Sequence, residues 1–257
     1  MKKFILAVFI TFSLSACKKG PKNEMPTVGT QKLVSTRTIN PNGHYILETH
    51  GYNIKGQLIK ETSLDEQTGL HLFQEYIYQN DLITSSIISS DTRKLAKIVY
   101  TYADNRLTRM DFLEYGTQDQ LTLNFSKSLE YNAGVLKKAT TLSVQNLPIG
   151  HEEFSILDGN LLAVRSYASD GTIQNLTEYL HDMEKNPYKG NMERNLNVLG
   201  LSNNNVTRVR YTDYANPANN RDQRYEYEYN AEKFPIKKSL IGATAKELQI
   251  TYAYKNF

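Results

Sequence analysis

One short unit returns along this chain and constrains its fold more than any other feature. It reads aromatic, any residue, aromatic, then a polar turn and a leucine-type residue that opens a polar strand. Tyr52-Asn53-Ile54-Lys55-Gly56-Gln57-Leu58 is a loose copy, and Tyr76-Ile77-Tyr78-Gln79-Asn80-Asp81-Leu82 and Tyr100-Thr101-Tyr102-Ala103-Asp104-Asn105-Arg106-Leu107 are full ones. Tyr131-Asn132-Ala133-Gly134-Val135-Leu136, the looser Phe154 to Leu161 and the late Tyr227 to Phe234 continue the series. The first four turns start at Asn53, Gln79, Ala103 and Asn132, spaced 26, 24 and 29 residues apart. A period near 25 holds two strands and two turns, so each unit predicts a β-hairpin. Turn chemistry agrees, because Asn, Asp and Gly tolerate the left-handed backbone that tight hairpins require.

The flanks alternate as half-buried strands do. In Arg224-Tyr225-Glu226-Tyr227-Glu228-Tyr229 the tyrosines fall on one face and the charges on the other, and Leu248, Ile250, Tyr252 and Tyr254 repeat the pattern. No long run shows helical spacing. Around sixteen short strands do not fit one flat sheet, since sheets twist and rarely exceed ~10 strands without curling. The expected fold is therefore all-β: an antiparallel meander of hairpins forming one strongly curled sheet or open barrel, with a two-sheet sandwich as the alternative. A concave face in such a sheet is the natural ligand site.

The first residues carry a different signal. Lys2 and Lys3 precede an apolar run from Phe4 to Leu14, which is too short to span a bilayer as a helix. Leu14-Ser15-Ala16-Cys17 follows, and Cys17 is the sole cysteine of the chain. This segment resembles the lipobox of bacterial lipoproteins, which implies cleavage after residue 16 and lipidation of Cys17. Residues 17–40, with Pro21 and Pro26, then read as a lipidated flexible tether, and 41–257 as a single hairpin-repeat domain. Loss of Lys2 and Lys3 would take the formal charge from +3 to +1, which leaves no basis for nucleic-acid binding. A lone cysteine also excludes an intramolecular disulfide.

The tyrosine-asparagine-glycine-leucine hairpins are similar to YD-type repeats of large bacterial surface and toxin-delivery proteins. Over residues 45–255 the chain resembles uncharacterised envelope lipoproteins of Bacteroidota, including the segments Asn186-Pro187-Tyr188 and Leu201 to Thr207. The resemblance implies a lipid-anchored protein of the bacterial cell envelope. Basic residues after Cys17 are unlike acidic surface-export signals, so the periplasmic face of the outer membrane is preferred to the cell surface.

No motif for catalysis, phosphate binding or calcium binding is present, and neither a cofactor nor a metal site is expected. His44, His50, His71, His151 and His181 are scattered and read as surface or strand-end residues. The acidic pairs Asp65-Glu66 and Glu152-Glu153 suit a hydrolase poorly, because neighbours on a strand point to opposite faces. The period breaks between Asp182 and Asn205, a stretch rich in asparagine. Asn186, Tyr188 and Asn191, with Arg208, Arg210 and Tyr211 nearby, are the candidate ligand-binding set. A loop that merely caps the sheet explains the same stretch. The functional expectation is a non-catalytic envelope lipoprotein that binds a glycan or protein partner or serves structurally. The alternatives are a curved-sheet carrier of an apolar ligand and, last, a polysaccharide hydrolase.

Overall fold

A computed structural model describes residues 31–39, 43–189, 196, 198–242 and 246–257. Cys17, Asn191 and the proposed leader lie outside them. The described chain forms sixteen antiparallel strands: β1 (Gln31–Ile39), β2 (Tyr45–Tyr52), β3 (Leu58–Asp65), β4 (His71–Gln79), β5 (Leu82–Ser90), β6 (Lys94–Ala103), β7 (Arg106–Tyr115) and β8 (Leu121–Asn132). They continue as β9 (Val135–Leu142), β10 (Pro148–Leu157), β11 (Asn160–Ala168), β12 (Ile173–Lys185), β13 (Asn204–Asp213), β14 (Arg221–Tyr229), β15 (Pro235–Ile241) and β16 (Lys246–Asn256). Each strand pairs with its neighbours in sequence, and β1 pairs with β16, so the sheet is a closed barrel.

Closure corrects the open-barrel and sandwich expectations. It depends on a strand that the sequence reading assigned to the tether. Gln31–Ile39 lies between β16 and β2, with Thr36 opposite Tyr252 on one side and Glu48 on the other. An unclosed meander would leave two long edges of unpaired backbone groups; β1 satisfies both. The described barrel thus includes Gln31–Ile39, from the stretch read as tether.

The repeat explains how the barrel is built. Turns alternate between two rims, and the copies of the unit all lie at the rim where β1 starts, here called the entry rim. Its two-residue turns use paired left-handed residues, as at Asn80 (φ 51°) and Asp81 (φ 63°), or Asp158 (φ 50°) and Gly159 (φ 73°). Beside each turn the register slips at the unit's second aromatic or its equivalent: between Gly51 and Tyr52, Ile77 and Tyr78, Thr101 and Tyr102, Glu130 and Tyr131, and Glu228 and Tyr229. Such bulges increase local twist and bend the strand, which a closing sheet needs.

The tyrosines then lock successive hairpins together. Tyr52 OH donates to the Leu33 carbonyl at 2.8 Å, Tyr78 OH to Leu58 at 2.8 Å, Tyr227 OH to Val206 at 2.8 Å and Tyr254 OH to Pro235 at 2.7 Å. Each bond joins one strand to the start of the strand before it. At these four positions the recurrence of the aromatic in sequence is the recurrence of one hydrogen bond at the rim.

Over β3–β11 the interior is packed rather than hollow. Leu58, Ile83, Ile98, Leu107, Met110, Leu129, Leu136, Phe154, Leu161 and Val164 form one cluster, and Met110 and Leu161 keep no exposed surface. Burying each such side chain contributes on the order of 2 kcal/mol. The rest of the interior is dominated by tyrosines of β12–β16.

Candidate functional site

The outer wall carries paired charges beside exposed apolar side chains such as Ile77 and Leu180. Residues directly opposite in an antiparallel pair share a face, so the register identifies what points outward. Lys60 faces Glu75, with Nζ 3.0 Å from Oε1; Glu228 faces Lys237 at 2.9 Å; and Glu178 faces Arg210 at 3.6 Å. Arg208 Nε donates to Asp222 Oδ1 at 2.7 Å on the same wall. Inward, the same strands place Tyr76, Tyr225, Tyr227 and Tyr229.

At the entry rim a cavity of about 750 Å³ opens into the barrel mouth. Leu33, Leu58, Leu82 and Ile83 form its floor, and Tyr52, Tyr78, Tyr102, Tyr254 and Phe234 its walls. Lys32, Lys185 and Lys189 stand around it. The Lys32 ammonium lies 5.8 Å from the Tyr52 ring centre, and that of Lys185 lies 5.0 Å from Phe234. None of these three lysines has a carboxylate within 4.0 Å among the described residues. Asp81 is the one acidic residue among the described lining residues, and Lys55 (2.7 Å) and Gln57 (3.1 Å) already hold it.

The described residues between β12 and β13 place Asn186, Pro187, Lys189 and Asn203 at this mouth. Leu196 is buried in the hydrophobic cluster, and Leu201 packs against it. Polar groups fasten the ends of the connection to the next hairpin. The Asn203 amide N–H donates to the Gly159 carbonyl at 2.8 Å, and its side chain to the Asp158 carbonyl at 3.2 Å. The Leu161 N–H donates to Ser202 Oγ at 3.1 Å, and His181 Nε2 lies 3.0 Å from the same oxygen. A Cβ at residue 159 would clash with the Asn203 side-chain amide, which adds to the demand that the positive φ of Gly159 (73°) already makes for glycine.

This placement sorts the candidate set. Asn186 lines the cavity, but its side chain donates to the Ser202 carbonyl (2.9 Å) and accepts from the Tyr188 N–H (3.0 Å). Tyr188 is half-buried close enough to Tyr227, Tyr252 and Tyr254 to interact with them electrostatically. Arg208 and Arg210 point outward on β13, whereas Tyr211 points inward, with the Arg221 guanidinium 5.1 Å from its ring. The basic-aromatic cluster read from sequence is split across the wall, and the asparagine amides beside it tie down the loop. Alternation was the available signal, since Arg210 and Tyr211 are adjacent on one strand.

Other interior groups carry chemistry. His50, near the end of β2, is buried, its Nδ1 3.0 Å from Glu61 Oε1, and Glu61 Oε2 accepts from Tyr76 OH. Lys238 points inward opposite Tyr227, its ammonium 3.7 Å from the Tyr225 ring centre, and burial lowers its pKa to about 8. Burial raises the phenols of Tyr225, Tyr227, Tyr229, Tyr252 and Tyr254 above their ordinary value, and that of Tyr179 to about 12. Glu152 points inward to Lys127 (3.0 Å), and Glu153 outward to Tyr167 OH (3.2 Å). Among the described residues no group of three or more His, Cys, Asp or Glu could hold a metal ion.

With this geometry in view, the barrel is similar to solved structures. One is a porin-like protein from Bacteroides uniformis, at TM-score 0.60 and 11% identity, covering 88% of this chain and 98% of that one. Another is a porin-like protein from Bacteroides vulgatus, at TM-score 0.55 and 9% identity, covering 88% and 100%. At such identities the likeness is one of fold. No protein-family model and no curated protein matches the chain. Both barrels come from the phylum whose envelope lipoproteins the repeat resembles.

Proposed function

We propose that this chain is a non-catalytic envelope protein, held by a lipid on Cys17, whose barrel stands in water and binds a ligand at its mouth. The observation that carries this reading is the polarity of the wall. A lipid-spanning barrel is apolar outside and polar within. Here the outer face bears Lys60, Glu75, Arg208, Asp222, Glu228 and Lys237, and over β3–β11 an aliphatic and aromatic cluster fills the interior beside a few paired charges. An Arg or Lys facing hydrocarbon costs roughly 2–4 kcal/mol at the midplane and less towards the interfaces, and Arg208 lies midway along β13.

A barrel of this polarity needs a separate attachment to stay at a membrane, and an acylated Cys17 supplies it. The 13 residues between Cys17 and Gln31 reach at most roughly 50 Å when extended. Because β1 starts at the entry rim, that length keeps the cavity near the anchoring leaflet. The periplasmic face of the outer membrane is the compartment this reading favours.

Fractionation tests it. The native chain should leave the membrane only with detergent, and Cys17→Ser should be recovered as soluble protein without lipid label. A Cys17→Ser chain that stays integral through carbonate and high-salt washes would show that the barrel itself enters the bilayer, and the reading would fail.

A further inference from the structure

We propose that the entry-rim cavity binds an anionic amphiphile: an acyl chain or similar apolar body carrying a carboxylate or phosphate head. This rests on the reading of the barrel as a binding protein, but not on the lipid anchor. Three observations converge on this ligand.

The first is the floor. Leu33, Leu58 and Ile83 are almost fully buried, so a ligand that reaches them meets hydrocarbon. The second is the state of the tyrosine hydroxyls. Those of Tyr52, Tyr78 and Tyr254 donate to backbone carbonyls, so these three turn rings rather than donors to the cavity. The Asn186 amide is likewise committed to Ser202 and Tyr188. A sugar needs many uncommitted hydrogen-bonding groups, and an apolar body does not. Tyrosine abundance at this mouth therefore argues for a greasy ligand and against a glycan.

The third is the charge at the lip. Lys32, Lys185 and Lys189 have no carboxylate partner among the described residues, and Asp81 is neutralised by Lys55. A cationic lip above an apolar floor is complementary to one head-and-tail molecule. The volume of about 750 Å³ lies within the range of small-ligand pockets, roughly 300–1,000 Å³.

The test uses the mature chain, residues 17–257, with Cys17→Ser so that no acyl group of its own competes. A fluorescent long-chain fatty acid is titrated, then displaced by palmitate, methyl palmitate or a neutral oligosaccharide. Saturable binding, displaced by palmitate in preference to its uncharged methyl ester and not by the sugar, is expected. Lys32→Gln, Lys185→Gln and Lys189→Gln together should weaken the acid roughly tenfold, the scale of three exposed charge contacts, and leave the ester unchanged. Leu82→Trp, which fills the cavity, should weaken both. Lys185 and Lys189 are exposed and Lys32 half-buried, so the triple variant should keep the native circular dichroism and melting temperature.

Equal affinity for acid and ester, or displacement by the sugar, would overturn the proposal. Phosphatidylglycerol vesicles separate a free amphiphile from a headgroup in a bilayer. Flotation with those vesicles, without binding of dispersed acid, would make the lip a membrane contact and overturn the cavity reading. Because the Cys17→Ser chain carries no anchor, failure here leaves the fractionation result standing, and the reverse also holds.

Discussion

The Tyr254 hydroxyl donates to the Pro235 carbonyl at 2.7 Å, joining the last strand of the barrel to the strand before it. Tyr52 makes the corresponding bond to Leu33 on β1. The two bonds flank the seam where the first and last strands of the barrel meet, so closure uses the same device as the junctions at Tyr78 and Tyr227.

Tyr254→Phe removes that donor and keeps the ring. Stability should fall by about 1 kcal/mol, the net worth of one such hydrogen bond. The urea midpoint of the soluble Cys17→Ser chain measures this. Tyr78→Phe should cost a similar amount at a junction far from the seam.

His181 makes the fastening of the β12–β13 connection sensitive to acid. Burial holds its pKa below 6.5, with Asp182 opposing in part. The unfolded imidazole therefore takes up its proton at higher pH than the folded one. This residue's contribution to stability should fall as pH drops below about 6.5 and level off below the lowered folded pKa. The difference between wild type and His181→Gln, measured by urea unfolding at pH 7.5 and 5.5, isolates this term from the carboxylates common to both proteins.

Lys238 should be a cost to the fold. Its ammonium sits beside Tyr225 inside the barrel with a pKa of about 8, against 10.5 for an ordinary lysine. Below pH 8 both folded and unfolded chains carry the proton, and the full cost of burying the charge is present. Between 8 and 10.5 the unfolded chain binds more protons, so the cost declines as pH rises. Lys238→Met should stabilise the protein by about 2 kcal/mol at pH 7, a gain that shrinks towards pH 10.

Arg208→Gln and Arg210→Gln should leave ligand binding at the mouth unchanged and barely move the unfolding midpoint. Both side chains lie on the outer wall, in ion pairs exposed to water. A loss of fatty-acid binding in either variant would contradict that placement.

Much of the barrel was legible in the chain. Tyr76-Ile77-Tyr78 followed by Asn80-Asp81 announces both a strand face and a tight turn, because each depends on neighbours a few residues away. β1 was missed although Leu33-Val34-Ser35-Thr36-Arg37-Thr38-Ile39 is rich in β-branched residues. Proline-rich flanks and the absence of a copy of the aromatic-turn unit beside it hid it. Lys237-Lys238 gave a weaker hint, since adjacent strand residues cannot both face water.

The sequence by itself determined the hairpins, their turns, the inward tyrosines and the charged outer face. Those follow from local geometry and the two-residue period of a strand. Only the tertiary structure decided that the sheet closes, as where Asn230 Nδ2 donates to Gln31 Oε1 at 3.0 Å across 199 residues. It also decided that Lys32, Lys185 and Lys189 line the same cavity as Leu33, Leu58 and Ile83. No local rule encodes either juxtaposition, because each arises from the accumulated bend of sixteen strands.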